Sequence, residues 1–258
     1  MDLIVSGDGG IPIFLRVADG NEQDKAVFGQ IAQDYQEMID FETMIVADSA
    51  LYTEKNLKFM SGTKWLSRVP LSIKEAKKWV DNLPEKELNK SQVKGYSWKE
   101  VESSYGGIQQ RWLVVESQKR KESDLRRLSQ NIEKEQEKAS KELRSLMRQK
   151  FISSEGATEI VTQFAKSLKY HQITEITLEK IVKKGKKKSE SSSLIKYQLR
   201  TSLIINQEQI EIKRKRAGRF VLATNELDQE KISGDEMLIK YKDQQASEIG
   251  RASCRERV

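Results

Sequence analysis

Met44-Ile45-Val46-Ala47-Asp48-Ser49-Ala50-Leu51-Tyr52 is the stretch on which the fold turns. A short apolar run with β-branched residues suits a buried strand, expected in the centre of a sheet, and Asp48 closes it. A carboxylate at the C-terminal end of a strand projects into the crevice where open α/β sheets bind ligands. The same position suits a turn cap, because aspartate hydrogen-bonds readily to nearby backbone amides. The run by itself leaves both readings open.

Working outward, Gly7-Asp8-Gly9-Gly10 is a turn cluster and Ile11–Val17 a β-branched and aromatic strand. Asp19-Gly20-Asn21 then caps a helix whose apolar residues Ala26, Val27, Ile31, Tyr35 and Met38 follow a 3.6-residue period. Beyond Asp48 the pattern predicts a helix over about Thr53–Met60 and a strand over Lys64–Val69, which Pro70 ends. Strands alternating with helices at this spacing predict a parallel or mixed sheet covered by helices.

From Ser72 to about Arg216 the texture changes: charge density rises and prolines nearly vanish. A helix is expected from about Gln118 to Lys150, with Leu125, Leu128, Ile132, Ala139, Leu143 and Leu146 as an apolar stripe interrupted by Glu135. Ser154–Lys169, with Ile160, Val161, Phe164 and Leu168 inward, is its expected antiparallel partner in an intramolecular hairpin. Ile173–Val182, Leu194–Ile205 and Ile210–Lys213 read as strands. Phe220–Thr224 reads as a further strand and Asp235–Glu248 as a helix.

Five segments, in chain order, resemble the DDE transposases of bacterial insertion sequences, in the branch with a Tyr-Arg-Glu-Lys signature. They are residues 9–25, 45–52, 65–70, 220–225 and 241–248. Tyr241 and Glu248 keep the signature's spacing, while Gln244 stands where its arginine is usual and offers a donor without charge. The resemblance implies an α/β fold: a partial ribonuclease H-like core, a mixed sheet with flanking helices, carrying an α+β insertion domain with a long helical hairpin. The implied organisation is core over 1–70, insertion over 71–216, a return to the core over 217–248, and a tail over 249–258. It further implies that Asp48 and Glu248 are catalytic and hold Mg²⁺ or Mn²⁺. The chemistry would be DNA strand cleavage by water, then strand transfer by a 3′-hydroxyl. Partners would be transposon ends and target DNA, and the full-length protein has room to be a homodimer.

In that family the first catalytic aspartate lies on an earlier strand, so the chain reads as a fragment cut at both ends that should not catalyse as it stands. Ile249–Val258 matches the in-frame translation of a common sequencing adapter, which also reaches into the codon for Glu248. Without that tail's three arginines and one glutamate, the net charge of +7 falls to +5. The only cysteine, Cys254, goes with it, so no disulfide or cysteine metal site is expected. The signature lysine would fall at Arg255.

A basic chain favours polyanionic partners. Candidate DNA contacts are Lys183, Lys184, Lys186, Lys187 and Lys188 in a Ser-rich segment, then Arg214, Lys215, Arg216 and Arg219, with Tyr241 and Gln244 on the late helix. The lysine run reads equally well as a solvated loop tip. Tyr241 is better read as packing, and the lone His171 as structural. Neither Gly9-Gly10 nor Gly106-Gly107 has the context of a phosphate loop. No apolar run nears the roughly 20 residues that cross a membrane, and Met1–Val5 has no basic signal-peptide start, so no membrane association and a cytoplasmic location are expected. The competing function is a non-catalytic, basic nucleic-acid-binding remnant that associates through its helical hairpin.

Overall fold

The computed structural model describes residues 2–6, 12–16, 44–183 and 194–255. The chain divides into two compact units, one of residues 1–121 with 218–258 and one of residues 122–217.

In the first unit β1 (Asp2–Val5) and β2 (Pro12–Arg16) form an antiparallel hairpin. The main sheet uses β3 (Met44–Ala47), β4 (Lys64–Val69), β5 (Asn89–Lys90), β6 (Tyr96–Ser103), β7 (Gln110–Ser117) and, late in the chain, β12 (Arg219–Thr224). Its order is β3-β4-β12-β7-β6-β5. Only β3 and β4 run parallel, so the sheet is mixed.

Side-chain alternation builds a core on each face. Trp65, Val69, Trp112, Val114, Val221 and Ala223 face one way, where α1 (Glu54–Phe59) contributes Leu57 and α2 (Lys74–Asn82) contributes Ala76 and Val80. Leu66, Leu113, Val115, Phe220 and Leu222 face the other, under Met237, Leu238 and Tyr241 of α6 (Gly234–Arg255). Thr53 caps α1, its Oγ1 accepting the Asn56 amide at 3.3 Å.

Two expectations about this unit change. β6 and β7 lie in the same sheet as β3, β4 and β12, so the second compact unit begins at Glu122 and not near residue 71. The reason is non-local: β7 pairs along its length with β12, about a hundred residues later, in a register from Arg219↔Glu116 to Thr224↔Arg111. β3, expected in the centre of the sheet, is its edge strand among the described residues. The helix expected over 22–38 lies outside the described residues.

The second unit holds most of α3 (Gln118–Arg148), then α4 (Ser154–Ser167), β8 (His171–Ile173), β9 (Thr177–Lys183), β10 (Leu194–Arg200), β11 (Leu203–Ile205) and α5 (Gln207–Arg216). Ala139, Leu143 and Phe164 centre its core. Glu135, the polar break in the stripe, accepts the amides of Lys169 and Tyr170 at 2.8 and 3.1 Å, where the chain leaves α4. The expected strands Ile173–Val182 and Leu194–Ile205 each break in two. At the breaks Thr201 Oγ1 donates to the Thr174 carbonyl and the Ser202 amide donates to Thr174 Oγ1. Ile210–Lys213, expected as a strand, is helical: the Asn206 side chain caps the Gln209 amide at 3.1 Å, and the Gln- and Glu-rich run that follows favours helix.

Candidate active site

Asp48 follows β3 at the C-terminal end of the parallel β3–β4 pair. Its carbonyl accepts the Ser67 hydroxyl at 2.7 Å, which ties the strand end to β4. Its Oδ1 accepts the Ala50 amide at 2.7 Å, so the residue does cap a turn. The side chain is exposed, and among the described residues nothing donates to Oδ2. A hard, solvent-facing oxygen of this kind suits Mg²⁺ or Mn²⁺. The turn is held by buried Leu51 and Tyr52; the Tyr52 hydroxyl donates to Gln110 and accepts the Trp112 indole N–H at 3.0 Å. Burial pushes the Tyr52 pKa far up, so this hydroxyl is a structural, neutral group.

Helix α6 crosses the other face of the sheet. Its first residue, Gly234, lies against Trp98 of β6 and Leu113 of β7, and further along it packs on β3 and β4. Tyr241 is buried, with its ring 6.2 Å from that of Phe220 on β12. Position 248 lies two turns past Tyr241 on the same helical face, about 10.5 Å along the axis. The side chain of Glu248 lies outside the described residues.

The start of this helix is clamped by groups that the sequence reading missed. Asp235 accepts from Ser91 Oγ, the Gln92 amide and Trp98 Nε1 at 2.5, 3.2 and 2.8 Å. Partial burial opposes its ionisation, but these three donors outweigh that and hold its pKa below the ordinary range. Arg111, buried on β7, pairs in bidentate fashion with Glu100 at 2.9 and 2.7 Å, and its Nη1 donates to the carbonyls of Glu226, Asp228 and Ile232. Those carbonyls line the connection from β12 into α6. A buried guanidinium needs such partners, yet nothing in the local pattern of residues 110–117 announces them.

The basic candidates separate. Arg219 is buried, its Nε donating to Glu116 at 2.8 Å and its Nη1 to the carbonyls of Val80 and Leu83. Its donors are spent inside the protein, so it is removed from the DNA-contact candidates. Tyr241 leaves that set too, because its ring is core. Arg214 and Lys215 are exposed on the last turn of α5, Arg214 paired with Glu211 at 2.6 Å, and Arg216 is half-buried. Consecutive residues on a helix point about 100° apart, so this cluster does not present one face. Gln244 is half-exposed on α6. Lys183 ends β9, while Lys184, Lys186, Lys187 and Lys188 lie outside the described residues. His171 is buried in the second unit, its Nδ1 3.5 Å from Glu135. Among the described residues no group of three or more metal-ligating side chains is assembled, and no helix is long and apolar enough to cross a membrane.

A family model described as a transposase DDE domain matches residues 1–233, ending immediately before α6. No curated protein and no solved structure matches the chain.

Proposed function

Because the chain belongs to the transposase DDE-domain family, we propose that it serves metal-dependent DNA strand cleavage and strand transfer, with Asp48 and Glu248 as two of the site's carboxylates. DNA is the partner that the family implies. The observation that carries the assignment is the path of α6, which crosses the sheet to β3, the strand that Asp48 terminates.

Asp48 and Glu248 would hold Mg²⁺ or Mn²⁺. A bound pair of such ions would activate the attacking oxygen and stabilise the leaving one. The contribution of this chain is positional. The Ala50 amide fixes one Asp48 oxygen and leaves the other open, while Ser67 anchors the backbone beneath it. Gln244 would approach the DNA backbone as a neutral donor. The resembled family completes such a site with a further carboxylate. A cytoplasmic location fits this reading.

Asp48→Asn separates the two roles of the residue, since asparagine keeps the turn-capping oxygen and loses the charge. Mn²⁺ binding measured by electron paramagnetic resonance should weaken at least tenfold, about 1.4 kcal/mol, with unfolding unchanged. Equal Mn²⁺ binding by wild type and Asp48→Asn would reduce Asp48 to a turn cap.

A further inference from the structure

Arg127, Lys134, Lys141 and Arg148 recur every seven residues along α3, all within the second unit. Seven residues advance an α-helix about 10.5 Å and slip its face by only about 20°. The four therefore form one row about 31 Å long. All are exposed, and none is held in an ion pair among the described residues. Leu128, Ala139 and Leu143 occupy the buried side of the helix. Lys138 and Arg144 widen the row, against Glu133 and Glu137 on the same broad face.

A helix face that merely keeps a protein in solution usually interleaves both signs at i,i+4 spacing. Along the row itself one sign repeats, exposed Glu137 and Glu142 standing at i,i+4 to Lys141 and Lys138 only at its margins. The row's charges stand about one Debye length apart, so their mutual repulsion is largely screened. A rigid, evenly spaced row matches a rigid polyanion better than a short acidic peptide. It spans about nine base-pair steps of duplex DNA at 3.4 Å each.

We infer that this row is a contact surface for the phosphate backbone of duplex DNA, independent of base sequence. Phosphates recognised this way carry affinity and register but no sequence information. The inference shares with the proposed function only the identity of DNA as partner; it needs neither Asp48 nor a metal.

The test is the anisotropy of a labelled random-sequence duplex titrated with the full chain in EDTA at several NaCl concentrations. Replacing all four residues by glutamine, which favours helix, should flatten the plot of log K against log salt by about 3.6, at about 0.9 per phosphate. Lys134→Gln with Lys141→Gln should flatten it by about 1.8, and this pair serves if the quadruple variant loses helicity by circular dichroism. EDTA removes divalent metal from the assay, so a failure of the metal assignment at Asp48 is read separately. An unchanged slope in a folded variant overturns the inference. Competition by polyglutamate equal to that by unlabelled duplex also overturns it, and would assign the row to an acidic protein partner.

Discussion

The indole N–H of Trp98 donates to Asp235 Oδ1 at 2.8 Å, and the ring of the same tryptophan fills the space beside Gly234. A Cβ placed on Gly234 would lie 2.9 Å from the Trp98 ring carbons. One residue of β6 thus fixes both the polar and the steric docking of the first turn of α6, the helix that leads to position 248.

Asp235→Ala removes the acceptor of three donors, two of them on the segment entering β6. Leaving such donors unpaired should destabilise the first unit by about 2 kcal/mol, read as a lower urea midpoint at unchanged slope. Gly234→Ala should also destabilise it, by about 1–3 kcal/mol, because overpacking against an indole cannot relax freely.

The same carboxylate predicts a pH dependence. Its pKa is lowered in the folded chain from an ordinary 3.8. The unfolded chain therefore takes up the proton first, and the stabilisation is complete above that ordinary value. It is lost as pH falls through the lower folded value. The stability difference between wild type and Asp235→Asn should accordingly shrink on going from pH 7 to pH 3. A constant difference across that range would show that the charge of Asp235 contributes nothing.

Arg111→Met leaves the half-buried Glu100 without its bidentate partner and strips the Glu226, Asp228 and Ile232 carbonyls of a donor. Breaking a buried pair from one side costs about 3–5 kcal/mol. Hydrogen exchange should rise first over residues 226–238, while β4 stays protected.

Gly218 sits at φ +77°, where a Cβ would lie 2.7 Å from the Ser117 carbonyl oxygen and 2.6 Å from Lys121 Cβ. Gly218→Ala should therefore lower the thermal midpoint by several degrees, corresponding to more than about 1 kcal/mol.

Gln244→Arg restores the charge usual at that place in the signature. If Gln244 faces DNA, the salt slope should steepen by about 0.9; no change would put position 244 away from the backbone.

Local chemistry in the sequence determined the elements whose cues lie within a few residues. The strand ending at Asp48, the capped helix after Thr53, the long helix from Gln118 and the helix carrying Tyr241 are all where hydrophobic period and capping residues put them. The family resemblance was legible too, because it rests on short ordered segments. Tertiary structure alone decided what depends on residues far apart. It enlisted β6 and β7 into the main sheet through pairing with β12. The helix over Ile210–Lys213 is set by a local cue instead, the Asn206 side chain capping the Gln209 amide three residues on. Tertiary structure made Arg219 an internal strut, and made Arg111 and Asp235 the clamp on α6. A charged side chain reads from sequence as surface, because burying one unpaired is costly; its partners, often a hundred residues away, are visible only once the chain has folded.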